Sequence, residues 1–274
     1  MGGPVGHIGV REGARTIGTT PGTNSGRTGS VAWPVALSFI GAPLALAGNF
    51  LAAAVAWIGG SSHPWDVAAA WAPFWGSLAV YPILTVLLVW RSRQEGFSIG
   101  ELLSYRPSKL GIDVGLGVAI SIGTAVFAAI SAVIMSEISP EVGKSLLRHA
   151  NDALAIPMPA WFIAWTVLVT PLGAALVEEL IYRGYAQPRL IAARLTPGLA
   201  VWLPSLGFGL QHVAFPFIDS GVSTYRCLEL FAIGFGLGWI YLKLGRLLPL
   251  VVGHYLWDAV PAAFAVGILI SMGH

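Results

Sequence analysis

Runs of apolar residues about twenty long, nearly free of charge, recur from residue 34 almost to the C-terminus, and they constrain the fold most. Twenty residues at the helical rise cross about 30 Å of hydrocarbon. A chain in lipid must also pair its own backbone N–H and C=O groups, which favours helices. Seven spans are predicted, at 34–59, 67–90, 110–135, 160–182, 198–217, 227–243 and 247–270. The last two are separated only by the tight turn Leu244–Gly245–Arg246. An eighth could lie in 137–159, but Glu137, Glu141, Lys144, Arg148 and Asp152 mark that stretch as a surface segment. The expected fold class is all-α, a polytopic transmembrane helix bundle of about seven spans, at most eight.

Composition agrees. Only 10% of residues are charged, where soluble domains carry about 25%. A soluble core of this size could not hide so much apolar surface. The net charge of +2 is too weak and scattered for a nucleic-acid surface, so no nucleic-acid partner is expected. Cys227 is the single cysteine, which excludes an intrachain disulfide and a cysteine-based metal cluster.

Residues 1–30 are rich in Gly, Thr and Ser with no apolar core, and read as a disordered cytoplasmic tail without the apolar region of a cleavable signal peptide. Residues 31–274 then form a single transmembrane helical domain. With the N-terminus inside, the inner loops collect twelve of the fifteen Lys and Arg residues, Arg183 among them, against Lys144, Arg148 and Arg226 outside. That bias sets a cytoplasmic N-terminus. Compact size and short loops suit a bacterial cell membrane. Trp65, Trp71, Trp75 and Trp90 read as interfacial anchors, Asp113 as an acid at a helix start, and Arg226 with Glu229 as an outer-surface pair.

Ionisable residues inside apolar spans are costly and usually mark function. Three groups stand out: Glu178 and Glu179 with Arg183, Gln211 with His212, and His254 with Asp258. Glu179 and Arg183 are spaced i,i+4 and can pair. Glu178, about 100° away around the helix, is left to face elsewhere as a candidate general base. A charge cluster at a helix end is the plain alternative. His254 and Asp258, also i,i+4, suit an imidazole oriented by a carboxylate, two metal ligands, or a polar tie between helices. Together the groups can form a water-activating site for hydrolysis among the helices of the second half.

These residues also resemble a known family. E-E-x-x-x-R is met by Glu178, Glu179 and Arg183, F-x-x-x-H by Phe208 and His212, and H-x-x-x-N/D by His254 and Asp258. In this order they resemble the CPBP (Abi) family of intramembrane proteases, which includes the type II CAAX prenyl endopeptidase, or Ras-converting enzyme. The resemblance covers about residues 160–262. It implies peptide-bond hydrolysis in a membrane-associated protein or peptide. Glu178 and His212 would activate water, His254 and Asp258 would stabilise the oxyanion, and Glu179 and Arg183 would support the site. It also leaves open a metalloprotease with zinc at Glu178, His212, His254 and Asp258. The prenyl endopeptidases carry Asn at the last position; Asp258 can donate a hydrogen bond only when protonated. A proton-coupled transporter and a non-catalytic membrane binding or immunity protein are the rival classes.

Depth adds one expectation. If the helix bearing Glu178 runs on to about Arg194, Glu178 lies about 24 Å from that end, level with His212 at about 21 Å from residue 198. His254 lies only about 10 Å in from residue 247, so helices must tilt or break for the three to meet.

Overall fold

The computed structural model describes residues 30–155, 159–212 and 219–271, with side chains of 149–155 and 265–271 left out of the description. The expected tail at 1–30 therefore lies almost wholly outside the described residues. All regular structure within them is helical. In chain order the helices are α1 (Ala32–Phe39), α2 (Gly41–Ile58), α3 (Pro64–Ala70), α4 (Ala72–Gln94), α5 (Ile99–Leu103), α6 (Leu110–Ile138) and α7 (Pro140–Ala155). Then come α8 (Ala160–Ala192), α9 (Pro197–Leu210), α10 (Ser220–Leu244) and α11 (Leu248–Ser271).

Six of the seven expected spans fall on helices; the span 198–217 begins on α9, and its residues 213–217 lie outside the described residues, so the count of seven is not established. Among the described residues five stretches are long and apolar enough to cross a membrane: Ala32–Ile58, Ala72–Gln94, Ile99–Ile138, Ala160–Ala192 and Ser220–Leu244. α9 has 14 residues, about 21 Å, well short of the hydrocarbon thickness. The expected span 34–59 is broken at Ile40 into α1 and α2, and 67–90 divides between α3 and α4. The fourth helix is long, as the depth argument required: α8 has 33 residues. Arg183, assigned from sequence to an inner loop, consequently lies inside that helix and is buried.

Prolines shape the long helices. α4 carries a π-helical turn at Gly76–Val80, and α8 carries two, at Trp165–Val169 and Leu180–Ala186. Each is followed two residues on by a proline, Pro82, Pro171 or Pro188. A proline lacks the N–H for the ladder, and its ring crowds the carbonyl four residues back. That carbonyl belongs to residue 78, 167 or 184, inside the widened turn in every case. The π turns relieve a clash that the prolines impose, and such turns often sit at functional sites.

α8 is the axis of the bundle. Residues 177–186 are all buried, and Leu84, Leu88, Tyr182, Tyr185, Leu247 and Leu250 form the core around them. Arg183 and Gln187, one turn apart, donate to the carbonyls of Gly234 and Gly238, also one turn apart on α10, at 2.9 Å each. A Cβ at Gly234 would come within 2.9 Å of the Phe208 ring, so only glycine allows this approach. α6 faces outward instead, with Ile122, Ile130 and Val133 more than half exposed, as a lipid-facing surface requires.

The segment read as surface, 137–159, contains helix α7, whose Glu141 and Lys144 are exposed and paired at 3.0 Å. α10 ends at Leu244 with Gly245 in the left-handed conformation at φ 59°, giving the expected tight turn into α11. Asp113, the acid at the start of α6, is buried and lies 2.6 Å from Arg246 of that turn. Trp71 and Trp75 stand in an aromatic cluster with Phe74, Trp161, Phe162 and Trp165, while Trp90 packs edge-on against Trp33.

Candidate active site

His254 of α11 is the centre of the site. Its Nδ1–H donates to Glu179 Oε1 at 2.9 Å, while Nε2 lies 3.6 Å from both Glu178 Oε2 and Asp258 Oδ2. The two glutamates thus address opposite edges of one ring, as their separation around α8 allows. Glu179 Oε1 also accepts from Arg183 at 2.8 Å, so the expected i,i+4 pair forms inside the protein. Both members are at most 1% exposed. Arg183 lies over the faces of Phe208, at 4.9 Å, and Tyr182, at 5.7 Å, and these cation–π contacts fix the guanidinium further.

His212 reaches the same space from the end of α9 without bonding to Glu178. Its Nδ1 is 2.8 Å from the Phe208 carbonyl, so Nδ1 carries the proton and Nε2 keeps its lone pair in the neutral ring. Phe208 is the spacer between the two imidazoles, 5.4 Å from His212 and 5.8 Å from His254 between ring centroids. Gln211 turns aside and accepts from Tyr182 at 2.7 Å. The residues predicted from α8, α9 and α11 therefore assemble at one place.

A cavity of about 190 Å³ holds the reactive faces of Glu178, His212, His254 and Asp258. A second, of about 200 Å³, lies among α2, α3 and α4 and also reaches Glu178 and His212. Tyr81 lines both, and its hydroxyl donates to Glu178 Oε1 at 3.1 Å. No sequence signal marked Tyr81, which stands 97 residues from Glu178. Arg226 was read as half of an outer-surface pair. The pair forms, at 2.5 Å to a buried Glu229, but Arg226 also lines the first cavity.

The metalloprotease reading, with ligands Glu178, His212, His254 and Asp258, finds no support in the donor set. Among the described residues no group of three or more His, Cys, Asp or Glu could hold a metal ion. Nδ1 of His254 is bonded to Glu179 and Nδ1 of His212 to a backbone carbonyl, and each ring keeps its Nε2 toward the cavity. Glu178 gives one oxygen to Tyr81.

Residues 159–260, just over a third of the chain, match the family model described as Type II CAAX prenyl endopeptidase Rce1-like. No curated protein and no solved structure matches the chain. The matched segment runs from the start of α8 into α11 and so contains Glu178, Glu179, Arg183, His212, His254 and Asp258. Over this segment the chain is similar to the CAAX-type intramembrane endopeptidases, which supports an assignment to the CPBP/CAAX protease family, and the apolar helices support an integral membrane protein.

Proposed function

We propose that this protein hydrolyses a peptide bond of a membrane-associated protein or peptide, using Glu178 as the base that activates water. The observation that carries the reading is the arrangement around His254. One imidazole meets Glu179 through Nδ1 and turns Nε2 toward Glu178 and Asp258, at the wall of a buried cavity. At 3.6 Å those last contacts are too long for direct hydrogen bonds, a spacing that suits a bridging water or substrate oxygen.

In this mechanism water binds between Glu178 Oε2 and the bare Nε2 of His212. Glu178 takes one proton as the water oxygen adds to the scissile carbonyl carbon. The carbonyl oxygen, now an oxyanion, lies toward His254 Nε2, which stabilises it as an N–H donor in the imidazolium form. Asp258 orients that edge of the ring, and Glu179 with Arg183 holds the other. Collapse breaks the C–N bond, and the proton on Glu178 passes to the leaving amine, so the carboxylate is restored. No metal enters any step.

The family name adds a substrate class to test, a prenylated CAAX terminus. The reading includes a bacterial cell membrane, from compact size and short loops, and a cytoplasmic N-terminus, from loop charge, with a membrane-delivered chain as substrate. The test is cleavage in liposomes of two quenched fluorescent peptides, one with a farnesylated CAAX end and one unlipidated and apolar. Product masses are read after reaction in H₂¹⁸O. One ¹⁸O in the new carboxylate under single turnover is expected. A label found first in Glu178 would mean a covalent acyl-enzyme and overturn the direct attack of water.

A further inference from the structure

The proposed mechanism asks Glu178 to keep Oε2 aimed at the reacting water, yet nothing in α8 itself holds that side chain. The contact that does so comes from α4, outside the family-matched segment. Tyr81 follows the π turn Gly76–Val80 and precedes Pro82, the residue that forces the widening. Its hydroxyl donates to Oε1 of Glu178 and leaves Oε2 to the His254 side.

The register between α4 and α8 is fixed nearby. Ser77 and Thr170 approach to 2.8 Å, and both reach the Pro73 carbonyl, at 2.6 Å and 3.1 Å. Ser77 lies one turn before Tyr81, and Thr170 lies two turns before Glu178. Both hydroxyls sit at or beside a π turn, Ser77 within one and Thr170 directly after another. The lock thus sets how far the Tyr81 hydroxyl stands from Glu178. The Tyr81 ring also passes close to Gly173 of α8, where a Cβ would stand 3.4 Å from its edge.

We infer that Tyr81 is a positioning residue for Glu178, held in register by the Ser77–Thr170–Pro73 lock. The N-terminal half of the chain thereby completes the active site. This rests on the proposed role of Glu178, so its test separates the two.

Tyr81→Phe removes only the hydroxyl. Cleavage of the two fluorescent peptides is measured for wild type, Tyr81→Phe, Thr170→Val and Thr170→Ser. Tyr81→Phe is expected to lower kcat about ten-fold with KM within two-fold, consistent with a lost bond to a charged group. Thr170→Val should lower kcat several-fold, and Thr170→Ser should restore it. A reading that does not depend on turnover is labelling of Glu178 by dicyclohexylcarbodiimide, followed by peptide mass. Tyr81→Phe should speed that labelling at least three-fold, and the exposed Tyr105→Phe should leave it alone.

Unchanged kcat and unchanged labelling in Tyr81→Phe overturn the inference while leaving Glu178 as base. A fall in kcat accompanied by an equal rise in KM and lower thermal stability also overturns it, since that is a packing effect. If Glu178→Gln keeps full activity, the base assignment fails, and the labelling rate alone then decides whether Tyr81 holds the carboxylate.

Discussion

Replacing Arg183 with Met tests how the site is supported from below. Arg183 is 1% exposed, and its guanidinium serves Glu179 and the Gly234 carbonyl at once. Removing it leaves the Glu179 carboxylate with His254 as its one remaining partner, in a place water does not reach. Breaking a buried pair from one side costs about 3–5 kcal/mol, and the abandoned Gly234 carbonyl adds a penalty of about 1 kcal/mol or more. Protein stabilities are commonly about 5–15 kcal/mol, so Arg183→Met should remove a large fraction. Glu179→Gln costs less, because the amide oxygen still accepts from Arg183 and His254. The double variant Glu179→Gln, Arg183→Met removes the stranded charge and should recover about 2 kcal/mol of the loss. The assay is reversible unfolding in mixed micelles by added dodecyl sulfate, followed by circular dichroism. A loss under about 1 kcal/mol for Arg183→Met, or a double variant no more stable than the single, would refute the buried-pair account.

Four other outcomes are expected. Gly234→Ala should cost about 1–3 kcal/mol, because its Cβ meets Phe208 and crowds Arg183. Gly123→Ala, where nothing lies within 4 Å, should be neutral or slightly stabilising in the same unfolding assay. Arg246→Met strands the buried Asp113 at the foot of α6 and should cost about 3–5 kcal/mol; Asp113→Asn together with it should regain part of that. Prolonged dialysis against a chelator should leave cleavage of the fluorescent peptides unchanged, and stoichiometric zinc whose removal abolishes cleavage would contradict the metal-free mechanism.

Much of the site was legible because helical spacing is local. Glu179 and Arg183 pair as i,i+4 predicts, and His254 and Asp258 share a face for the same reason. The depth argument required a long α8, and the helix runs to Ala192. The π turns ahead of Pro82, Pro171 and Pro188 do not follow from hydropathy. The contacts that escaped join distant segments: Tyr81 to Glu178, Arg183 to Gly234, and Tyr182 to Gln211. A tyrosine or glycine in an apolar run carries no sign of its partner. Asp113 is the helix-start acid that the sequence indicated, but its ion pair with Arg246 depends on the packing of α6 against α11 and has no local sign. The number of spans stayed open because α9 is apolar but short.

The central claim is that Glu178, and not its neighbour, takes the proton from water. The most direct measurement compares single-turnover cleavage by Glu178→Gln and Glu179→Gln in liposomes, after both are shown to unfold cooperatively. A positioned general base contributes about 10²–10⁴-fold. Glu178→Gln should therefore lose at least a hundred-fold, while Glu179→Gln, which keeps its acceptor oxygen, should lose far less. Glu178→Gln retaining more than a tenth of the wild-type rate would contradict the account.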